Sequence, residues 1–299
     1  MYSITQARRI RGAAGDPLPT VFKTFEDYKI VFRRGQLCLI CAGPGTGKSA
    51  LALSQAVKSR VSTLYMSADS DAFTQVSRSF SIHTGLTMNE TEKYAQGKPV
   101  LESTEEKAKE LNSLPIRFNF LTSPTLANLE RSMEAFDELY GEYPALTVVD
   151  NITNVRNGTE DNAENPFGGL EVFLDYANGM ARETQSCVIG LHHVNGPYND
   201  QNKPIPLSGV KGQIGRVPQM ILTMFKSGPG TVGISPVKNR GAKFDPSGEW
   251  FAELDFDGST MTFKDPSPGM PLAVPVPEGG KVDVFGSDTD RRRAEEMMG

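Results

Sequence analysis

The chain has 299 residues, of which 22% are charged and 38% hydrophobic, and its formal net charge is −5. That length suits one large α/β domain or two small ones with a substantial core, and the acidic balance argues against a protein that coats nucleic acid by electrostatics alone. No run of about 18 apolar residues exists to span a membrane, and Met1–Arg9 lacks an apolar h-region, so no membrane contact, no secretory signal and a cytoplasmic location are expected.

Residues 1–23 read as an arm, with a small basic segment Arg8-Arg9-Ile10-Arg11. Gln36–Cys41 is short and apolar, as a buried strand should be, and Ala50–Val57 carries good helix formers with no Gly or Pro. Thr63–Ser67 reads as a strand and Asp71–Phe80 as a helix with Asp71 in its first turn. Residues 90–112 are charged and helical in pattern, interrupted at Gly97 and Pro99. Ile116–Leu121 reads as a strand, and Pro124–Tyr140 as a helix with Ser123 as N-cap and Pro124 in first position. Leu146–Asp150 is a buried strand ending in an acid, Leu170–Thr184 an amphipathic helix, and Cys187–Leu191 a strand. Gln219–Phe225 is a further strand, and strand-like pieces follow up to Phe263. This alternation predicts an α/β fold with a mostly parallel central sheet and helices on both faces, spanning residues 24–265. The Pro/Gly-rich stretch 266–299 reads as a tail.

Between the first strand and first long helix lies Ala42-Gly43-Pro44-Gly45-Thr46-Gly47-Lys48-Ser49. Gly-Lys-Ser in this strand-to-helix context reads as a phosphate-binding P-loop (Walker A), with Ala in place of the usual first Gly; the alternative is a Gly-rich strand-to-helix turn without nucleotide. Glycines let several backbone N–H groups point at one phosphate, and the helix N-terminus adds partial positive charge. Gly43, Pro44, Gly45, Thr46, Gly47, Lys48, Ser49 and Ala50 are therefore expected to cradle ATP. Lys48 is expected to reach its β- and γ-phosphates, and the Ser49 hydroxyl to hold Mg²⁺. Asp150 ends an apolar strand well downstream, as a second nucleotide motif (Walker B) should, and is expected to bind Mg²⁺ beside Ser49.

Hydrolysis also needs a residue to orient and deprotonate water, and cations for the developing charge. Asp69, just past the second strand, is the leading candidate for the water; the alternative is a helix N-cap before Asp71–Phe80. Of His192 and His193, only one can face the nucleotide, because adjacent strand residues point opposite ways. His193 is taken as a γ-phosphate sensor, with a structural histidine as the alternative. Lys238 and Arg240 lie two apart on one strand, so both can address one anion, as an arginine finger in trans does; a solvated hairpin edge is the alternative. Two long loops, Asn154–Gly169 and Asn195–Arg216, follow strand ends. The second carries Lys203, Lys211 and Arg216 among glycines including Gly212, a composition able to track a phosphate backbone without reading sequence. Cys38 and Cys41 form a literal C-x-x-C. A strand holds such residues roughly 10 Å apart on opposite faces, too far for a disulfide, so both read as buried small hydrophobes.

In order, the Ala42–Ser49 loop, Asp69, Asp150, His193-Val194-Asn195 and Lys238-Asn239-Arg240 resemble the motifs of the RecA-fold motor domain of DnaB-type replicative helicases. The resemblance covers roughly residues 20–264, including Phe251–Gly258 near the last strands. It implies that Asp69 is the catalytic acid and that Lys238 and Arg240 reach the γ-phosphate held by a neighbouring subunit. It also implies a homo-oligomeric ring, a hexamer, with the loop near Lys211 and Gly212 holding single-stranded DNA during replication. A helicase loader or primase is an implied partner, although no primase signature is visible. Departures are Asp69 where the family usually has Glu, His193 where it usually has Gln, and Gly209 near its usual DNA-loop arginine. The family's N-terminal helical domain has no counterpart in residues 1–23, which are long enough only for a linker onto a neighbour. A chain trimmed in this way fits a phage-encoded helicase, acting in the host cytoplasm. Two other readings share the P-loop and fold: a RecA-like recombinase or mediator that forms filaments on DNA, and an assembly-regulating ATPase that moves no strand.

Overall fold

In this computed structural model, residues 3–98, 102–156, 168–200 and 202–266 are described. The chain divides into a unit from Met1 to Pro268 and a unit from Gly269 to Gly299; the latter, with most of the Pro/Gly-rich tail, lies outside the described residues, as does much of the Asn154–Gly169 loop.

Two short helices, α1 (Ile4–Ile10) and α2 (Lys23–Asp27), precede β1 (Leu37–Ala42) and α3 (Lys48–Ser59). Then come β2 (Thr63–Ser67), α4 (Ala72–Thr84), α5 (Met88–Ala95), α6 (Glu102–Ser113) and β3 (Ile116–Asn119). α7 (Leu126–Tyr140), β4 (Leu146–Asp150), α8 (Gly168–Thr184) and β5 (Cys187–His192) follow. The last strands are β6 (Met220–Gly228), β7 (Thr231–Asn239), β8 (Ala252–Asp257) and β9 (Thr262–Lys264). Their order in the single sheet is β3-β2-β4-β5-β1-β6-β7-β8-β9. From β3 through β6 every pairing is parallel, and β7 to β9 add an antiparallel meander.

Every residue of β1, β2, β4 and β5 is buried, because helices cover both faces of a parallel sheet. On one face Cys38, Ile40 and Val148 pack with Leu51 and Leu53 of α3, Phe25 of α2 and the earlier Leu18 and Phe22. On the other, Leu37, Leu39 and Cys41 pack with Leu129 and Phe136 of α7 and Phe173 and Ala177 of α8. The expected mostly parallel α/β sheet is therefore present. Cys38 and Cys41 fall on opposite faces as expected, and all three cysteines are free and buried. Leu18 and Phe22 are core residues, so part of the 1–23 segment packs into the domain.

Boundaries shift where local hydrogen bonds outweigh composition. α7 starts two residues later than expected: Thr125, not Ser123, is its N-cap, in a capping box with Asn128. The Pro124 carbonyl instead accepts a 2.8 Å bond from the Arg156 amide, in an isolated parallel bridge between Thr125 and Arg156. The expected Ile116–Leu121 strand ends early at Asn119, whose side chain accepts from the Leu121 amide at 2.9 Å. α4 is capped by Asp71 and runs past Phe80 until Gly85, whose φ is +80°.

Candidate functional site

The sheet order brings the P-loop, Asp69, Asp150 and His193 to one edge. β5 lies beside β1 and β4 beside β5, so His193 just after β5 and Asp150 at the end of β4 reach the same edge as the loop that leaves β1. Asp69 follows β2, on the other side of β4. Ligands in open parallel sheets bind beyond this carboxyl edge.

The Gly43–Gly47 loop closes on itself. The Thr46 hydroxyl donates to the Gly43 carbonyl at 3.0 Å. Gly47, the residue before α3, has φ of +98°, and a Cβ there would lie 3.1 Å from the Phe263 ring. Only glycine meets both demands, the left-handed turn and the close approach. Lys48 is drawn over the loop, with Nζ donating to the Ala42 and Gly43 carbonyls at 3.1 Å each. Burial pushes its pKa below the ordinary lysine value, while Asp150, Cys41 and Asp69 pull it back up. The lysine is thus bonded to weak acceptors that a phosphate can replace.

Asp150 is 3% exposed and accepts from the Tyr65 hydroxyl at 2.8 Å. Burial raises its pKa, opposed by hydrogen bonds from Ser49 and Tyr65. Ser49 and Asp150 are therefore adjacent, and together they present oxygen donors only, which suits a hard divalent cation. Among the described residues no group of three or more His, Cys, Asp or Glu side chains is arranged to hold a metal. Two oxygen ligands fit Mg²⁺ arriving with phosphates, since Mg²⁺ keeps waters and needs few protein ligands.

Asn151, next to Asp150 across a cis peptide, joins the other two candidates. Its amide nitrogen donates to Asp69 Oδ2 at 2.6 Å and lies 3.1 Å from His193 Nε2. Asn154 donates to the second Asp69 oxygen at 2.9 Å. An amide N–H can only donate, so His193 Nε2 accepts and the imidazole is neutral with its proton on Nδ1. Burial and then Lys48 lower the His193 pKa, which favours that neutral form. Asp69 stays exposed at the mouth of the site, and the N-cap alternative is filled by Asp71.

His192 faces the other way and anchors the loop that carries the candidate strand-binding cations. Its Nε2 lies 2.9 Å from the Lys211 carbonyl. A carbonyl only accepts, so Nε2 carries the proton. Burial pushes the pKa of His192 down to about 4. The Lys211 amide also donates to the His193 carbonyl at 3.3 Å, and Val194 bridges Val210. The Asn195–Arg216 loop is more firmly packed than its polar, Gly-rich sequence suggests: Ile205, Val210 and Ile214 are buried. Gly212 supplies a φ of +82° in the turn after Lys211. Lys211, Arg216 and Lys203 are exposed, and Lys203 Nζ sits 5.1 Å from the centre of the Tyr198 ring.

Lys238 and Arg240 do not join this edge. β7 runs antiparallel to β6 with Asn239 opposite Met220, so the pair lies at the amino edge of the parallel strands. β1 alone, six residues long, separates the two edges by about 20 Å. Both cations converge on the end of the loop: Lys238 Nζ donates to the Gly215 carbonyl and, at 3.0 Å, to that of Arg216. Arg240 donates to the same Arg216 carbonyl at 2.7 Å. Burial, then repulsion from Arg240, lowers the Lys238 pKa to about 8.

Sequence reasoning missed Asn151, Tyr65 and His192. A polar residue directly after a strand-ending acid, and a Tyr inside a buried apolar strand beside it, are the signals that point to the first two. The matching family model, described as the DnaB-like helicase C terminal domain, covers residues 17–215. The chain is 53% identical over 269 residues to the gene 65 protein of Mycobacterium phage L5, covering 89% of this chain and 99% of that protein. It is 54% identical over 233 residues to the gene 65 protein of Mycobacterium phage D29, covering 77% and 99%. Among solved structures, a DnaB-like replicative helicase described with its interactions with primase superposes with a TM-score of 0.74 at 16% identity, covering 88% of this chain and 67% of that one. The RadB recombinase superposes less closely, with a TM-score of 0.55 at 18% identity, covering 84% of this chain and 100% of that one. The chain belongs to the DnaB-like helicase C-terminal domain family.

Proposed function

We propose that the chain is an ATP-driven motor that assembles as a homo-oligomeric ring, a hexamer, and translocates on single-stranded DNA in replication. The observation that carries this reading is the separation of Lys238 and Arg240 from the P-loop of their own chain by the length of a strand. Cations that far from their own pocket serve phosphate only if a second copy brings its pocket to them. ATP then lies between copies, with Gly43–Ala50 around its phosphates.

The chain's own residues divide the work. Lys48 exchanges two carbonyls for phosphate oxygens. Asp69 orients and deprotonates the attacking water, and Asn151 holds Asp69 and His193 in one network. His193 reads the γ-phosphate, while Lys238 and Arg240 of the adjacent copy stabilise the charge that develops on it. Ser49 and Asp150 hold Mg²⁺, which when bound offsets phosphate charge. The strand runs past Lys203, Lys211, Gly212 and Arg216, contacted through phosphates. Because Lys211 is bonded to His192 and His193 at one end of this loop, and Arg216 to Lys238 and Arg240 at the other, a change at either phosphate contact reaches the strand. Part of the N-terminal arm serves as a linker onto the neighbour, and a loader or primase meets the ring from outside.

ATP turnover measured with and without single-stranded DNA, combined with particle imaging in a non-hydrolysable analogue, tests the reading. Closed rings and DNA-stimulated turnover are expected; open filaments favour a recombinase, and turnover indifferent to DNA at low salt favours an assembly ATPase.

A further inference from the structure

At the amino edge of the sheet, on the side away from the P-loop, lies a cavity of about 840 Å³. Gly35 and Gln36 before β1, Gln185 before β5 and Gln219 before β6 form its floor. Around it stand Arg11, Arg34, Arg182, Arg216 and Arg240, against one lining acid, Asp175. The ion pairs among the described residues are Arg11–Asp16, Arg60–Glu110 and His83–Glu110. Four of the five guanidinium groups therefore have no acid within 4 Å among the described residues. Arg34 spends its Nε on the Gln185 carbonyl at 2.8 Å, and Arg240 one nitrogen on the Arg216 carbonyl. Gathering uncompensated cations in a chain whose net charge is −5 costs repulsion that a bound anion removes.

We infer that this cavity is an oligophosphate site, taking two or three linked phosphates. Guanidinium groups match phosphate oxygens in paired N–H donors. No aromatic side chain among the described residues lines the cavity, so the recognised part is the phosphate chain and not a base. The volume falls in the range of roughly 300–1,000 Å³ that holds a small-molecule ligand, larger than one phosphate needs. Two sources offer this chemistry: the triphosphate held in the P-loop of a second copy, which rests on the function proposed above, or nucleotide free in solution. In either case Arg34 and Arg182 act beside Arg240 as phosphate-binding residues.

The test uses inorganic tripolyphosphate and the full chain carrying Lys48→Ala, diluted until light scattering reports single chains. Calorimetry is expected to give one tripolyphosphate per chain, weakened by salt. Arg182→Gln and Arg34→Gln, each added to that background, are expected to weaken binding by about tenfold or more. The Arg182 side chain makes no hydrogen bond or ion pair among the described residues, so its replacement is expected to leave the fold intact. No uptake by the Lys48→Ala chain, or uptake unchanged by both substitutions, overturns the inference. Arg182→Gln in the otherwise wild-type chain identifies the source: slowed turnover of the assembly with unchanged ATP affinity of single chains marks the neighbour's triphosphate, and unchanged turnover marks free nucleotide. Absence of ATPase activity in the wild-type protein defeats the ring-motor reading alone, because the tripolyphosphate measurement depends on neither assembly nor turnover.

Discussion

Asn151 holds the candidate acid and the candidate sensor in place through one amide group. Its replacement by Ala leaves Asp69 with the Asn154 bond and frees His193, without touching the P-loop. ATP turnover is expected to fall by about 100-fold, as misplaced catalytic groups do, while ATP affinity changes little; equal loss of both contradicts this role. Protonation carries a second prediction. Neutral His193 accepts from Asn151, and its lowered pKa keeps it neutral at pH 7. Below its ordinary range the ring gains a second N–H, which opposes the Asn151 donor, so kcat/KM is expected to drop on acidification in the wild type. Lys238 works in the opposite direction. With a pKa of about 8 in the free protein, it is cationic below that pH and loses its charge above it. The value of kcat/KM, which reports free-enzyme groups, is expected to decline above pH 8, and Lys238→Arg to hold steady there. A decline of the same shape in both proteins removes Lys238 as its cause.

At the scale of elements, the loop between β1 and α3 depends on glycine at its last position. Gly47→Ala places a methyl group in a left-handed turn and against Phe263. Destabilisation by at least roughly 1–2 kcal/mol is expected from the backbone alone, read as a lowered denaturation midpoint; an unchanged midpoint contradicts the close packing. The P-loop, the alternation of strands and helices and the acid ending β4 are legible because each depends on neighbours in sequence: glycine spacing, apolar runs, a charge at a strand end. The start of α7 is not legible, because Pro124 is held by Arg156 from a distant segment, and no local rule contains that bond. The Asn195–Arg216 loop misleads in a similar way. Its glycines and lysines are visible in sequence, whereas the seating of Ile205, Val210 and Ile214 under it depends on tertiary packing. Strand alternation turns His192 away from nucleotide if His193 faces it, but the bond from His192 to Lys211 emerges only when the loop folds back.

For the whole molecule, the sheet separates two chemistries by its own width. The candidate phosphate and magnesium ligands gather at the carboxyl edge, and arginines gather at the amino edge. A single copy holds the two apart by about the length of β1, so the proposed function makes turnover a property of the assembly. The most direct measurement mixes two defective proteins: Lys48→Ala, which offers intact Lys238 and Arg240 but a damaged pocket, and Arg240→Ala, which offers an intact pocket but a damaged partner surface. Each alone is expected to have little ATPase activity, Arg240→Ala still binding ATP, and their mixture to recover a substantial fraction of wild-type turnover. Full activity of Arg240→Ala alone, or mixed assemblies that form and stay inactive, would contradict a site completed by the neighbouring copy.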